Sequence, residues 1–156
     1  MHERAEEFAD RAQSEYDFAV DVEEFPEGTK TAEDAAEAIG CDVAQIASSI
    51  ALRADDGLVV VVTSGANRVN TDRVAALLDA DDAAMADADE VKSTLGWSIG
   101  GVPPFCHDAE VPVYLDETLT EFETVWAAAG TPEAVFPIDP ETLRELSGAE
   151  VADVAE

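Results

Sequence analysis

The sequence is poor in positive charge. It has 8 lysines and arginines against 36 aspartates and glutamates, which gives a formal net charge of −28 over 156 residues. A general basic surface for nucleic acid is therefore excluded, and we expect no DNA partner. Strongly charged chains remain disordered when they also lack apolar residues. Here 47% of residues are apolar, and a chain of this length buries roughly two-thirds of its unfolded surface. We therefore expect one folded domain over residues 1–156.

Cysteine, histidine and long apolar runs are also scarce. Cys41 and Cys106 form no disulfide framework, and with two histidines they give no metal-ligand spacing. The longest apolar run, Leu58 to Val62, is too short to span a bilayer. The N-terminus lacks the basic and then apolar pattern of a signal peptide. We expect a cytoplasmic protein with no metal, no other cofactor and no membrane partner.

The acidic residues are spread along the whole chain. An acidic coat over an ordinary core is typical of proteins from salt-saturated cytoplasm, where the Debye length falls to about 3 Å at 1 M salt and self-repulsion is screened. We hypothesise a halophilic source. An unfolding temperature that does not rise between low and molar KCl would contradict this hypothesis.

Apolar spacing and capping residues predict the secondary structure. Helices are predicted over Glu3–Tyr16, from Thr31 to Gly40, over Thr71–Leu78 with Thr71 as its cap, over Asp87–Leu95, and from Asp139 to about Leu146. Strands are predicted over Asp17–Val22, Ile46–Ala54, Leu58–Thr63, Val111–Leu115, Glu123–Ala128 and Ala134–Ile138. Phe25–Gly28 is predicted as a turn, and Asp42 as the cap of a short helical turn.

The order of these elements indicates the fold class. Asp55-Asp56-Gly57 between two apolar runs predicts a hairpin, and the unbroken run Leu58 to Val62 predicts a strand buried on both faces. There is no βαβ rhythm. The sequence therefore predicts a mixed α+β domain with a mostly antiparallel sheet surrounded by helices.

The loop from Gly100 to Phe105, Gly-Gly-Val-Pro-Pro-Phe, is the sharpest motif. Glycines permit close backbone approach, and prolines fix the chain and remove amide donors. The loop is consistent with a rigid rim that holds a small polar group by main-chain groups, and equally with a structural turn. It matches no nucleotide-binding fingerprint.

Three other features offer chemistry. Cys106 and His107 form a thiol–imidazole pair, but neighbours on an extended segment point to opposite faces, which disfavours a catalytic pair. Thr63 and Ser64 begin a loop at the end of a buried strand, a common place for a binding site. Arg68 in that loop is a candidate for phosphate binding, with a surface ion pair as the alternative.

The order of the motifs resembles the YbaK/prolyl-tRNA synthetase-associated domain family. The resemblance rests on motifs spread over nearly the whole chain: Thr31 to Ala36, Gly40-Cys41, Gln45 to Leu52, Thr63 to Gly65, Gly96 to Phe105, Ala129 to Pro132 and Ala134 to Phe136. It implies a twisted, barrel-like sheet. It also implies trans-editing, the hydrolysis of the ester that joins a wrong small amino acid to a tRNA, because synthetase pockets discriminate poorly against small side chains.

The resemblance also implies the site and the partners. The glycine-proline loop would hold the ester through its main-chain groups, while water or a group of the substrate attacks. Catalysis is assigned to Gly101 and Ser48, and substrate binding to Lys30, Thr63, Ser64, Arg68, Gly100, Val102, Pro103, Phe105 and His107. The expected partners are the acceptor end of an aminoacyl-tRNA and a synthetase.

Two departures from the family bear on activity. Ser48 stands where the family has a lysine, so a hydroxyl replaces a positive charge, and Lys30 is a candidate substitute. Cys106 stands where a glycine is usual, and we expect its side chain to narrow the pocket. An aminoacyl-tRNA deacylase is therefore weighed against a silent module that binds an aminoacyl end or a small ligand. Hydrolysis by Cys106 is a distant third hypothesis.

Overall fold

A computed structural model of the chain describes residues 3–25, 31–55 and 57–155. Within these ranges the helices are α1 (Glu3–Tyr16), α2 (Ala32–Ile39), α3 (Thr71–Leu78), α4 (Ala88–Leu95) and α5 (Pro140–Ser147), with 3₁₀ turns at Val43–Gln45 and Glu117–Glu121. The strands are β1 (Glu23–Glu24), β2 (Ile46–Ala54), β3 (Gly57–Ser64), β4 (Ala83–Met85), β5 (Val113–Asp116), β6 (Val125–Ala128), β7 (Ala134–Ile138) and β8 (Glu150–Ala152). None of the described helices is long and apolar enough to cross a membrane.

Side-chain caps fix the starts of the helices. Thr31 accepts a hydrogen bond from the Asp34 amide at 3.0 Å, and Asp42 caps the turn that precedes β2, both as predicted. The predicted cap of α3 is wrong. Asn70 accepts from the Arg73 amide at 3.1 Å, so Thr71 is the first helical residue. An amide oxygen one residue earlier reaches the third amide of the helix, which is the geometry that capping requires.

The eight strands form one mixed sheet in the order β1-β7-β6-β2-β3-β5-β8, with β4 also paired to β2. β2 and β3 form the predicted antiparallel hairpin, in which Ser48 pairs with Thr63. The run Val59 to Val62 is fully buried, as its unbroken apolar pattern predicts. The expected fold class, a mixed α/β domain with a mostly antiparallel sheet and surrounding helices, is confirmed.

The predicted strand Asp17–Val22 is wrong. This segment is irregular, and the strand that follows it is only Glu23–Glu24, paired with β7. Phe18, Val20 and Val22 nevertheless pack against the main core. The alternation of apolar and polar residues in this segment therefore indicates that every second side chain packs against the core, although the backbone has no strand partner.

The outer edge of β2 is divided between two strands. β6 pairs in parallel with Ile46 and Ala47, whereas β4 pairs antiparallel with Leu52 to Ala54. The Ala86 amide also donates to the Ala51 carbonyl at 3.2 Å. Between these contacts, Ser48, Ser49 and Ile50 have no strand partner on this edge among the described residues. The sheet thus has an opening in the middle of a long strand.

Candidate functional site

A cavity of about 250 Å³ lies at this opening. Its walls come from β2, from the loop after α4, from α2, and from the ends of β4, β6 and β7. The lining residues are Phe25, Thr31, Ala32, Ala35, Ile46, Ala47, Ser48, Ser49, Ile50, Ala51, Met85, Ala86, Val91, Ile99, Gly100, Val102, Trp126, Ala128, Pro132, Ala134 and Val135. No charged side chain is among them within the described parts of the chain. The cavity is therefore apolar, with a few hydroxyls and main-chain groups as its polar contacts.

The front of the loop, Ile99 to Val102, forms one wall. Gly100 has a φ of +91°, a backbone conformation that favours glycine, and the Gly101 amide donates to the Ser98 carbonyl at 3.0 Å. A Cβ atom on Gly101 would lie 2.6 Å from the Cα of Thr131, so only glycine fits there. The amides of Gly100 and Val102 have no hydrogen-bond partner among the described residues, and both residues line the cavity.

Hydrogen bonds tie the back of the loop, Pro103 to Asp108, to the protein. His107 Nε2 lies 2.7 Å from the Pro103 carbonyl, and the Trp97 indole donates to the Cys106 carbonyl at 2.9 Å. A carbonyl only accepts, so Nε2 must carry the proton. The Asp108 amide donates to Leu95 at 3.0 Å. These bonds hold the chain from Pro103 to Asp108 in place.

Phe105 anchors the same segment through an aromatic cluster. It is 2% exposed, and its ring centroid lies 5.2 Å from that of Tyr16, 5.5 Å from that of Phe8 and 5.9 Å from that of Phe136. These separations are those of favourable tilted and edge-to-face pairs. The loop predicted from its prolines and glycines therefore has a buried hydrophobic anchor.

Burial makes the Cys106–His107 pair unsuitable for nucleophilic catalysis. Desolvation raises the pKa of Cys106 to about 12, with Glu15 adding to the shift, so the thiol stays protonated at neutral pH. Burial also lowers the pKa of His107. Cys106 belongs to the core cluster and does not line the cavity, so the expectation that it narrows the pocket is wrong. Its φ of +67° explains why a glycine would suit this position.

Two adjacent serines line the cavity from β2. Ser48, predicted from the family position, lies on the strand face of Ile50 and Leu52, whereas Ser49 lies on the face of Ala47 and Ala51. Both reach the cavity because it opens at the strand edge. The Ser49 hydroxyl is buried and has no hydrogen-bond partner among the described residues. Ser49 was not among the predicted site residues, although it lies in the Gln45 to Leu52 motif that carries the family resemblance.

Several predicted binding residues lie away from the cavity lining. Ser64 donates through its hydroxyl to the Ala44 carbonyl at 2.7 Å, and its amide donates to the buried Asp116 carboxylate at 3.1 Å. The Thr63 hydroxyl donates to the Val61 carbonyl at 3.2 Å, and Arg68 is exposed in the following loop. Thr63 and Ser64 therefore hold the backbone in place.

The other predicted residues divide in the same way. Ser48, Gly100 and Val102 line the cavity, Gly101 lies between two lining residues, and Pro103, Phe105 and His107 form the anchored back of the loop. Lys30 lies outside the described residues, although its neighbour Thr31 lines the cavity. Within the described residues, no group of three or more His, Cys, Asp or Glu side chains is placed to hold a metal ion.

Comparison with known proteins decides the family. The aminoacyl-tRNA editing domain matches residues 26–146, which include α2, the opened strand and the loop. The chain belongs to this family. The resemblance inferred from the motifs is thereby confirmed.

Relatives with this editing domain occur both as small proteins and as parts of synthetases. The chain is 35% identical over 134 residues to the uncharacterized protein YwhH of Bacillus subtilis (strain 168), covering 84% of this chain and 83% of that protein. It is 31% identical over 126 residues to the proline–tRNA ligase of Bacillus pumilus (strain SAFR-032), covering 80% of this chain but 22% of the ligase. The editing-domain chain thus spans about a fifth of that ligase.

A solved structure has the same fold. A crystal structure described as a candidate trans-editing enzyme for prolyl-tRNA synthetase superposes with a TM-score of 0.95 at 36% identity, over 100% of this chain and 99% of the other. The match over nearly the whole of both chains confirms the fold.

Proposed function

We propose that this editing-domain protein hydrolyses the ester of a mischarged tRNA that carries a small amino acid. The observation that carries the proposal is the cavity at the β2 opening, which is lined by Ser48, Ser49, Gly100 and Val102, with the Gly100 and Val102 amides unpaired among the described residues. Membership of the editing family supports the reaction class. Because aminoacyl-tRNA is made and used in the cytoplasm, we place the activity there.

The reaction uses the main chain of the loop. The ester carbonyl accepts hydrogen bonds from the Gly100 and Val102 amides, and water attacks the carbonyl carbon. The new C–O bond forms, the bond to the ribose oxygen breaks, and that oxygen takes a proton to leave free tRNA and the amino acid. Fixed donors aimed at the developing oxyanion contribute on the order of 10²-fold to 10³-fold each in hydrolases of this kind.

The two serines bind the polar groups that flank the ester. A buried hydroxyl without a partner costs about 1–3 kcal/mol, which a ligand can recover by bonding to it. The Ser49 hydroxyl is such a group. We assign Ser48 and Ser49 to the substrate's ammonium and ribose hydroxyl groups, in a wall that otherwise contacts apolar atoms.

The decisive experiment measures deacylation in molar KCl across tRNAs charged with alanine, serine, cysteine and larger amino acids. We expect release of a small amino acid above the uncatalysed rate. The Ser49→Ala change should lower the rate at least tenfold, whereas Ser14→Ala, which removes an exposed serine on α1, should not change it. No release from any member of the panel would contradict the proposal.

A second function is favoured by one observation. No charged side chain lines the cavity within the described residues, and Ser48 stands where the family's lysine is expected. A module that binds the aminoacyl end without hydrolysing it would fit this composition. An unfolding temperature raised by a non-hydrolysable aminoacyl nucleoside, without turnover of any charged tRNA, would favour binding alone. Recovery of turnover in Ser48→Lys would then identify the missing charge as the cause.

A further inference from the structure

Two exposed large hydrophobic side chains border the cavity. Four such side chains are found in the described residues: Met85 at 63% exposure, Ile99 at 51%, Leu77 at 44% and Val151 at 40%. The two most exposed, Met85 and Ile99, both line the cavity. They come from different elements, the end of β4 and the turn before Gly100, so local sequence does not explain their proximity.

The exposure of the lining residues shows where the cavity is open. Among the described lining residues, Thr31, Met85, Ile99, Gly100 and Pro132 are exposed, whereas Ala35, Ala47, Ala51, Ala86 and Val91 are buried. The amino acid is the end of the substrate, and the nucleotide continues into the rest of the tRNA. The buried part of the lining therefore suits the amino-acid side chain, and the terminal nucleotide must lie at the exposed rim, the mouth of the cavity.

The charge of the protein limits which part of the tRNA can bind at the mouth of the cavity. The protein carries a net charge of −28, and none of the described lining residues is charged. Phosphates would be repelled at low salt, and a basic surface would add little in concentrated salt, where counterion release is weak. The terminal adenine is uncharged and flat, and it is joined through one ribose to the ester. Apolar and thioether groups make favourable contacts with such a ring.

We infer that Met85 and Ile99 form a platform for the terminal adenine of the tRNA. This inference rests on the proposed function, which places the ester at Gly100, and it adds the group by which an acidic protein holds the nucleotide. Recognition would then depend on contact with the base. It would depend little on phosphate contacts, and binding would persist in molar salt.

The test uses binding of an analogue that cannot be hydrolysed. The probe is 3′-alanylamino-3′-deoxyadenosine, compared with the same compound without its base and followed by the fluorescence of Trp126. In wild type the base should tighten binding about tenfold. That gain should be lost in Met85→Ser with Ile99→Ser. Leu77→Ser and Val151→Ser remove other exposed apolar groups, which do not line the cavity, and should keep the full gain.

Three outcomes would overturn the platform. The first is equal binding of the two probes, with and without the base, to wild type. The second is a gain from the base that is undiminished in the double variant. The third is a double variant that no longer binds prolyl-tRNA synthetase but keeps the gain from the base, which would make the mouth a protein interface. The readout does not depend on turnover. If no charged tRNA is hydrolysed but the gain still requires Met85 and Ile99, the proposed hydrolysis fails and the platform stands.

Discussion

The two halves of the loop after α4 differ in what they contact. The front half, Ile99 to Val102, is partly exposed, and two of its amides have no hydrogen-bond partner among the described residues. In the back half, Pro103 to Asp108, one carbonyl, one amide and an aromatic ring contact other parts of the protein, and His107 bonds to the Pro103 carbonyl within the segment. The comparison indicates that stability and chemistry are separated within one short segment.

The separation has a physical reason. Main-chain donors stabilise a developing oxyanion only if they are already aligned, because reorienting them during the reaction would cost the energy they supply. If the whole loop were buried against the protein, its main-chain amides would not be accessible to a substrate. Anchoring the back half to the core therefore fixes the unpaired amides of the front half without covering them.

The largest expected effect comes from the anchor of the back half. Replacing Phe105 by alanine removes a buried ring that contacts four other aromatic rings, and we expect the free energy of unfolding to fall by about 3–5 kcal/mol. Denaturant unfolding in molar KCl measures it. Phe105→Leu, which keeps most of the volume, should lose less than half as much. Equal losses in both variants would show that the aromatic contacts, and not the filled volume, supply the stabilisation.

The front half should lose activity before stability. A Cβ on Gly101 meets the Thr131 backbone at 2.6 Å, so in Gly101→Ala the loop must shift and its amides lose alignment. We expect deacylation to fall on the order of 10²-fold, while the protein remains folded by circular dichroism. Gly57→Ala is the matched control, because a Cβ there meets nothing within 4 Å. Near wild-type turnover in folded Gly101→Ala would remove this loop from the mechanism.

Most of the fold could be predicted because its signals are local. The Asp-Gly turn, the valine run of β3 and the capping residues act within a few positions of one another. The strands β4 and β8 were missed because each has three residues and depends on a distant partner. Asp17–Val22 was predicted as a strand because alternation shows which side chains are buried, and does not show what the backbone bonds to.

The site was only partly predictable for a related reason. Ser48, Gly100 and Val102 were found from motifs, and they do line the cavity. Motifs also included Phe105 and His107, since anchoring residues and contacting residues occur together in the same loop. Met85 and Trp126 line the cavity only because β4 and β6 share one edge of β2. The spacing of residues in the sequence does not predict this strand pairing.

His107 tests the link between the halves with a smaller effect. In His107→Ala the Pro103 carbonyl loses its donor, and we expect a loss of about 1–2 kcal/mol in unfolding free energy. His107→Gln, which keeps a donor, should recover part of it. An unfolding free energy equal to that of wild type in His107→Ala would show that the hydrogen bond between His107 and the Pro103 carbonyl does not stabilise the protein.

The same residue predicts a pH dependence. Burial lowers the pKa of His107 in the folded protein, so its neutral form is favoured there, whereas the unfolded chain takes up a proton near pH 6.5. This contribution to stability is complete above about pH 6.5 and is lost as the pH falls towards the lowered pKa. Because carboxylates titrate as well, the measurement is the difference between wild type and His107→Gln. If the difference in unfolding free energy between wild type and His107→Gln were the same at pH 7.5 and pH 5, the predicted pH dependence would be wrong.

The smallest effect distinguishes strain from packing in the back half. Cys106 has a φ of +67°, and the left-handed region costs a residue with a Cβ about 1–2 kcal/mol. Cys106→Ala keeps this cost and loses the buried sulfur, whereas Cys106→Gly loses the sulfur but relieves the strain. We expect the glycine variant to be more stable than the alanine variant by about 1 kcal/mol, the reverse of their usual order in regular structure. Paired urea unfolding curves measure the difference.

Deacylation should be the same in both variants, because a thiol with a pKa of about 12 in the core supplies no nucleophile. A more stable alanine variant would show that the backbone relaxes around residue 106, and the loop would then be less firmly anchored than its hydrogen bonds indicate.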